Sequence, residues 1–324
     1  MIASRKRRRV WHCLSSRLNS SLAPFAGAAG ASYLSYSHLL LALSVVFVWG
    51  TNFVVIRWGL DGLPPFLFAT LRFTLSALPW AFFIRRPAVP WRKLAAFGVL
   101  LGVGQFALLF LAMRADISPG LASLVIQLQV FFTIGLSLLT LGERVRGYQV
   151  LGLLLAVAGL AVIAAHLDAT LTLKGLALIL AAAFFWACAN MVVKSVGRVN
   201  VLGFMVWSSL FAVPPLFALS WWLEGQALIT SSLLQASASV WACVLWQAVG
   251  NTLFGYGAWN WLLARHPAAT VTPLALLVPV FGMAASALAL GEALPLWKLA
   301  AGALVLCGLA VIVLWPHLRA RLVR

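Results

Sequence analysis

The chain has 324 residues, of which 63% are hydrophobic and only 9% are charged, and its mean hydropathy is +1.02. Soluble domains carry about 25% charged residues, so this composition excludes an ordinary soluble enzyme or binding module. Several apolar runs reach the ~20 residues that cross ~30 Å of hydrocarbon, which predicts an all-α membrane protein. The net charge of +17 would suggest nucleic-acid binding in a soluble chain, but here most cations lie in short connectors between apolar runs.

Residues 1–37 are basic at first and then rich in Ser, Ala and Gly. We interpret them as a disordered N-terminal extension or as the product of a start codon placed too far upstream; the alternative, a signal peptide, would need a stronger apolar core than residues 22–31 offer. The cations at positions 5–9 are expected to form a cytoplasmic anchor on membrane lipid. Direct binding of anionic lipid or nucleic acid by this cluster is the alternative, and no nucleic-acid partner is expected.

Ten apolar segments follow, separated by short connectors that carry Pro, Gly and charge, so no soluble domain fits between them. A basic cytoplasmic tail, residues 316–324, is predicted after the last segment. The predicted spans are residues 38–58, 65–84, 92–113, 118–141, 147–165, 175–194, 200–222, 239–264, 268–290 and 296–315.

The distribution of Lys and Arg predicts the orientation. Of the 23 such residues, 18 fall in one set of alternate connectors and tails, and Arg72 lies within a span. The other set of connectors holds only Arg57, Arg114, Lys174 and Lys298. Because cytoplasmic loops are the positive ones, both termini are predicted to face the cytoplasm, in the inner membrane of a bacterium.

Short motifs recur at fixed distances along the chain. Leu141-Gly-Glu143 recurs as Leu290-Gly-Glu292, and Gly159-Leu-Ala-Val-Ile163 recurs as Gly308-Leu-Ala-Val-Ile312, both 149 residues later. At a distance of 137, Trp49 matches Trp186. We predict two five-helix repeats, residues 38–166 and 174–315, and an odd number of spans in each half inserts them with opposite orientation.

Polar side chains within the spans are the candidate substrate-binding residues. Arg72 is the only ionisable residue well inside a span, and burying it costs at least ~2.5 kcal/mol, so it is expected to face the bundle interior or to snorkel. A buried Arg can hold a solute carboxylate. Uncharged amides and deep Trp residues complete the set, although interhelical bonding is the simpler role for any single amide. The full set is Arg72, Trp49, Asn52, Gln127, Trp186, Asn190 and Asn251.

Two further expectations concern single side chains. Gln127 and Gln129 are two positions apart, so in a regular helix they point to different sides and do not both line one cavity. Trp246, like Trp49 and Trp186, lies away from the span ends and is a cavity candidate.

Gating or structural roles are predicted for four residues. Glu143 and Glu292 end repeated motifs, where they cap or orient the next helix or form a gating ion pair. Pro273 and Pro279 can break or bend the ninth span. All six acidic residues lie at segment ends or in connectors, and the His and Cys residues form no cluster. No catalytic site, metal site or cofactor is therefore predicted.

A set of strings in this order resembles one transporter family. The chain is similar to the EamA family of the drug/metabolite transporter superfamily, nearest to its members that export O-acetylserine and cysteine, over residues 38–315. The strings are Val48-Trp-Gly-Thr-Asn-Phe-Val-Val-Ile56, Leu71-Arg-Phe73, Pro119-Gly-Leu-Ala-Ser-Leu-Val125, Phe131-Phe-Thr-Ile134, Gly142-Glu-Arg144, Phe185-Trp-Ala-Cys188 with Asn190, Gly255-Tyr-Gly257 and Pro273-Leu-Ala-Leu-Leu-Val-Pro279.

The resemblance implies ten transmembrane helices as two inverted repeats and export of amino acids and related metabolites, cysteine and O-acetylserine among them. Paralogues on one scaffold carry different solutes, so another small metabolite or a drug is the alternative. A polytopic membrane enzyme is the rival class, and it would need a cluster of catalytic side chains that the sequence lacks. Energy coupling and oligomeric state stay open.

Overall fold

A computed structural model of the protein describes residues 34–141, 146–167, 171–197, 199–266 and 268–322. These residues form eleven helices and no β-strand, apart from one isolated bridge between Ile117 and Leu171. The helices are α1 (Tyr36–Gly62), α2 (Pro65–Ala81), α3 (Trp91–Ala115), α4 (119–141), α5 (Gly147–Ala164), α6 (Leu173–Val196), α7 (Val201–Glu224), α8 (Gln226–Gln235), α9 (238–265), α10 (268–290) and α11 (Leu296–Leu322).

Ten of these helices correspond to the ten predicted spans, but not all are long enough to count as spans by themselves. Within the described residues, eight are long and apolar enough to cross a membrane, or nine if α8 and α9, which meet at 103°, are taken as one bent span. The helix α2, with 17 residues, falls short of that length. Sequence analysis missed α8, because its ten residues lack a continuous apolar run and read as a connector.

Four helices carry an irregular turn that is followed by further α-helix, and α7 ends in a π-helix at Ser220–Glu224. In α3 and α9 the turn is a π-helix, at Leu100–Ala107 and Trp246–Phe254. In α4 and α10 it is a 3₁₀-helix, at Ile126–Leu128 and Thr272–Leu276. Such turns re-aim side chains and are common at functional sites. Pro273 accounts for the break in α10, since proline has no N–H to continue an α-helical ladder.

Glycines allow α5 and α11 to pack with their backbones nearly touching. A Cβ atom on Gly152 would lie 2.7 Å from the carbonyl oxygen of Gly308, and one on Gly308 would lie 2.5 Å from that of Gly152. Neither position tolerates a side chain without separating the helices. The other main contacts join α1 with α10, α2 with α7, and α6 with α3 and α4.

One end of the bundle, called here the carboxylate end, carries residues 57–66, 114–120, 171–174, 224–238 and 290–298. Its carboxylates join helices to one another. Glu224, at the end of α7, accepts hydrogen bonds from the backbone N–H groups of Phe66 and Leu67 in the first turn of α2, at 2.6 and 2.9 Å. The carboxylate of Asp116 accepts from the Thr172 hydroxyl and from Lys174, both at 2.9 Å, and so ties the α3–α4 connector to α6.

Glu292 makes the densest set of contacts at the carboxylate end. Its carboxylate accepts from the Ser118 hydroxyl at 2.5 Å, from the backbone N–H of Gly120 at 2.9 Å and from Lys298 at 3.1 Å. The side chains of Lys298 and Glu292 are only 6% and 8% exposed. Hydrogen bonds therefore hold the first turn of α4 to Glu292, and a buried ion pair holds Glu292 to α11.

The opposite end, called here the terminal end, carries residues 34–41, 81–93, 194–201 and 265–272. Its helices are joined mainly by bonds to backbone carbonyls, from Lys93 to Ser195 at 2.8 Å and from the Trp207 indole to Ile84 at 2.9 Å. His38 on α1 and His266 after α9 form a ring–ring hydrogen bond of 2.7 Å.

Candidate functional site

A cavity of about 320 Å³ lies in the middle of the bundle, between α1, α3, α4, α6, α9, α10 and α11. Small-molecule sites commonly have volumes of ~300–1,000 Å³, so this cavity suits a small metabolite. The irregular turns of α3, α4, α9 and α10 all contribute to its wall. These turns place polar side chains at membrane depth without breaking the helices.

The lining combines uncharged amides with aromatic rings. None of the described lining residues is acidic or basic. Amides can donate to a carboxylate and accept from an ammonium group, and aromatic faces attract cations. The lining amides are Asn52, Gln105, Gln127, Gln129 and Asn251, and the lining aromatic residues are Trp49, Phe53, Phe106, Trp186 and Tyr256.

Interhelical hydrogen bonds fix part of this wall. The Gln247 amide on α9 donates to Asn52 on α1 at 2.7 Å, and the Trp49 indole donates to the carbonyl of Asn251 at 3.2 Å. The buried Oε1 atom of Gln105, by contrast, accepts no hydrogen bond from any described residue. A buried carbonyl of this kind is costly to leave unpaired, which makes it a natural acceptor for a bound solute.

Arg72 lies one layer behind the cavity and not in its lining. Its guanidinium carbon is 3.5 Å from the ring centroid of Phe106, a lining residue, and its Nη2 donates to the Thr252 hydroxyl at 3.3 Å. The side chain is 1% exposed, and within the described part of the chain its Nε and Nη1 atoms have no hydrogen-bond partner. Phe106 thus separates an incompletely paired cation from the cavity.

The structure brings five of the seven predicted binding residues to this cavity: Trp49, Asn52, Gln127, Trp186 and Asn251. Asn190 is outside the lining, where its amide donates to Gln129 at 2.8 Å and thereby positions a residue that does line it. Arg72 is outside as well, as described above.

The expectation that Gln127 and Gln129 face different sides is wrong, because both line the cavity. The physical reason is the 3₁₀-helix at Ile126–Leu128. With 3.0 residues per turn instead of 3.6, side chains two positions apart diverge by about 120° and not by about 160°. The expectation for Trp246 is also wrong: this residue lies on the outer surface of the bundle and lines two peripheral grooves.

Among the predicted gating residues, Glu292 holds α4 to α11 through the contacts given above, and Pro273 lies in the 3₁₀-helix of α10. Pro279 is buried in the first turn of the α-helical segment that follows. Glu143 lies outside the described residues.

Sequence reasoning did not single out Tyr256 and Phe106, which the structure places in the wall. The Gly255-Tyr-Gly257 string is the signal that could have found Tyr256. Gln105, an uncharged amide predicted at membrane depth, also lines the cavity; it lies within the π-helical turn of α3, as Asn251 lies within that of α9.

An all-helical membrane fold around a central, solute-sized polar cavity defines a multi-pass membrane protein with a small-molecule site. The chain belongs to the EamA-like transporter family, whose model matches residues 37–165 and 173–314. This membership identifies a transporter and argues against a membrane enzyme.

Individual relatives agree with this assignment. The chain is 43% identical to a probable amino-acid metabolite efflux pump of Salmonella typhimurium and 42% identical to one of Escherichia coli, each over 84% of this chain and 93% of the relative. It is 27% identical to a probable terminal-alkyne amino-acid exporter of Streptantibioticus cattleyicolor, over 86% of this chain and 94% of the relative. A solved crystal structure superimposes with a TM-score of 0.56 at 21% identity, over 87% of this chain and 98% of that one, which shows the fold alone.

Proposed function

We propose that this transporter exports small amino acids and related metabolites from the bacterial cytoplasm by alternating access, with cysteine and O-acetylserine as the first solutes to test. The observation that carries the proposal is the central cavity, whose volume and uncharged amide and aromatic lining suit a small zwitterion. The names of its relatives, amino-acid metabolite efflux pumps, support the same solute class.

A neutral lining has a physical advantage for a carrier. A fixed carboxylate or cation facing the solute would bind it strongly, and the carrier must release it on the other side. Amide groups supply hydrogen bonds to both ends of a zwitterion without a full opposite charge. Trp49, Trp186 and Tyr256 can support the ammonium end through cation–π attraction.

Arg72 is proposed to supply the positive pole of the site from behind Phe106. Rotation of the Phe106 ring would let a solute carboxylate approach the two guanidinium nitrogens that lack a partner. Without such a movement, Arg72 attracts the carboxylate through space in a low-dielectric interior, where charges interact more strongly than in water.

An inverted repeat is supported by the matching irregularities of the two halves. The third helix of each half, α3 and α9, has a π-helical turn, and the fourth, α4 and α10, has a 3₁₀-helix. Trp49 and Trp186, which match at a distance of 137 residues, both line the cavity. In carriers built this way, rocking of one repeat against the other exposes a central site to each side in turn.

The lining of the cavity runs from Ile56, near the carboxylate end of α1, towards the terminal end. Val313, which lines it, lies about 25 Å along α11 from the carboxylate end, and Thr272 lies four residues from the start of α10. The carboxylate end is closed by the contacts of Glu224 and Glu292. If the termini are cytoplasmic, this is the state that loads solute from the cytoplasm.

The decisive experiment is solute transport by purified protein in proteoliposomes, with radiolabelled cysteine, O-acetylserine and a panel of other amino acids, with and without an imposed pH gradient. Saturable counterflow of at least one small amino acid is expected. Protein-free liposomes are the control. The absence of counterflow for the whole panel, from correctly inserted protein, would assign the cavity to another metabolite or drug.

The role of Arg72 is tested by initial transport rates of Arg72→Lys and Arg72→Gln, normalised to inserted protein. A point-charge role predicts partial activity for Lys and loss for Gln, whereas loss in both indicates that the planar guanidinium is needed. Thr252→Val serves as the control, because it removes the one hydrogen bond that Arg72 makes within the described residues and leaves its charge in place. Wild-type rates in Arg72→Gln would exclude the role.

Orientation is tested by reporter fusions after residues 86 and 168. Cytoplasmic termini and ten spans predict that the fusion at 86 is cytoplasmic and the fusion at 168 is periplasmic. Equal sidedness of the two fusions would overturn both the span count and the inverted repeat.

A further inference from the structure

A groove on the outer surface, at the carboxylate end, has a larger volume than the central cavity. It has a volume of about 730 Å³ and lies between the end of α1 and the junction of α8 with α9. The transport mechanism proposed above does not use it. Its lining includes Trp58, Asp61, Gln235, Ser237, Ser239 and Trp246.

The groove continues along α1 as a second, apolar groove of about 450 Å³, and Trp246 lines both. Leu40, at the far end of the second groove, is 21 residues from Asp61, which is about 32 Å along a helix. The two grooves together therefore run along about the full thickness of the hydrocarbon layer.

Polarity changes sharply along this path. The walls beyond Trp246 are formed by Leu40, Leu43, Phe47, Phe254 and Phe281, among others. The carboxylate end of the path has hydroxyl and amide groups together with the side chain of Asp61. Because α8 meets α9 at 103°, it lies across the bundle at this end, as helices at the depth of lipid headgroups do.

The charges at the polar end match a zwitterionic headgroup. Asp61 is 3.5 Å from Arg57, one turn earlier on α1, and their side chains are 58% and 37% exposed. Arg57 also donates to the carbonyl of Arg114 at 2.9 Å and lies beside the groove, whereas Asp61 lines it; both side chains keep an exposed face that a ligand can reach. An ammonium group would be attracted to Asp61, with Trp58 beside it, and a phosphate would be attracted to Arg57.

We propose that this groove binds a phospholipid with a primary ammonium headgroup, from the bilayer leaflet at the carboxylate end. The ammonium group lies at Asp61 and the hydroxyls of Ser237 and Ser239, and one acyl chain passes Trp246 into the apolar groove. A primary ammonium is favoured over a quaternary one because only the primary group donates hydrogen bonds to a carboxylate. An anionic headgroup without an amine would face Asp61 unfavourably.

The test is native mass spectrometry of delipidated protein titrated separately with phosphatidylethanolamine, phosphatidylcholine and phosphatidylglycerol of identical acyl chains. Tightest binding of phosphatidylethanolamine is expected. Asp61→Asn should lower its affinity about two- to fivefold, towards that of phosphatidylcholine, as expected for an exposed charge pair. Asp116→Asn, which removes a carboxylate at the same end but outside the groove, should leave the affinity unchanged.

A second variant fills the groove. Ala242 lines it and is exposed, so Ala242→Phe should abolish specific binding of phosphatidylethanolamine. Val249→Phe adds a ring to the exposed surface of the same helix outside both grooves and should have no effect. Equal affinity for the three lipids, or full binding in Ala242→Phe, would overturn the proposal. The readout is independent of transport, so it stands or falls separately from the proposed function.

Discussion

The two ends of the helix bundle are closed by different kinds of interaction. At the carboxylate end, Glu224 and Glu292 reach across to the first turns of α2 and α4, and Glu292 is paired with a buried Lys298. At the terminal end, the described side-chain hydrogen bonds are exposed or half-buried, as in the bond from Lys93 to Ser195. Buried ionic contacts are expensive to break singly and exposed ones are not. The difference indicates that, in this state, the carboxylate end is the firmly closed side.

The largest effect is expected from Glu292→Ala. This change leaves the buried ammonium of Lys298 without its partner and removes acceptors from Ser118 and Gly120, so the free energy of unfolding should fall by about 3–5 kcal/mol. Chemical denaturation in one fixed detergent measures it.

The matched control for that prediction is the double variant Glu292→Ala with Lys298→Met, which removes the stranded charge and should recover most of the loss. If Glu292→Ala alone lowers the free energy of unfolding by less than about 1 kcal/mol, this ion pair is solvated and weak, as surface pairs are.

A smaller effect, about 2 kcal/mol, is expected from Glu224→Ala. The helix α2 begins at Pro65 after Pro64 and has no side-chain cap of its own, so the carboxylate of Glu224 is the cap for Phe66 and Leu67. Losing a cap that accepts two backbone N–H groups costs about this much. Thermal and chemical unfolding of the purified variant measure the loss.

Glu224→Gln tests the geometry of the same cap. The side chain of Gln has one acceptor oxygen in place of the two oxygens of Glu. About half of the ~2 kcal/mol that the cap contributes to the free energy of unfolding should therefore remain. If the Ala and Gln variants both unfold like the wild type, the cap contributes nothing and only Glu292 distinguishes the carboxylate end.

Ionisation of Asp116 makes the free energy of unfolding depend on pH, by less than about 1 kcal/mol. The hydrogen bond from Lys174 lowers the pKa of Asp116 below its ordinary value of 3.8, against the opposing effect of burial. A depressed carboxylate pKa stabilises the folded state at pH values above 3.8, and this contribution is lost as the pH falls through the folded-state pKa. Asp116→Asn should therefore be less stable than the wild type at pH 7 and equally stable near pH 2.

Unfolding of both proteins across this pH range checks that prediction. Lys174→Met should reduce the difference at pH 7, because it removes the main cause of the lowered pKa. If the free energies of unfolding of the wild type and Asp116→Asn still differ near pH 2 as much as at pH 7, the difference comes from packing and not from the charge.

The smallest effect is expected at the terminal end. Lys93→Ala removes one exposed bond to the Ser195 carbonyl and should change the free energy of unfolding by less than about 0.5 kcal/mol. The same denaturation assay applies. A loss above about 2 kcal/mol would show that the two ends are equally tight and would remove the basis for assigning a closed side.

Much of the site could be predicted because polar side chains within membrane helices do not normally face lipid. Amides and deep Trp residues at membrane depth must face other helices or a cavity, which led to Trp49, Asn52, Gln127, Trp186 and Asn251. Arg72 shows the limit of that argument. Its burial follows from its charge, but a single ring, Phe106, decides that it lies behind the cavity, and no sequence pattern reports the orientation of that ring.

The membrane class, the family and the approximate position of ten helices follow from the amino-acid sequence, because hydrocarbon thickness and backbone hydrogen bonding leave a membrane chain few choices. Three features became visible in the folded chain: which helices carry π and 3₁₀ turns, that Gln127 and Gln129 share one cavity, and that Glu224 caps α2. These features depend on contacts between residues far apart in the chain. A single sequence shows the local cost of such irregular turns but not the distant partners that offset it.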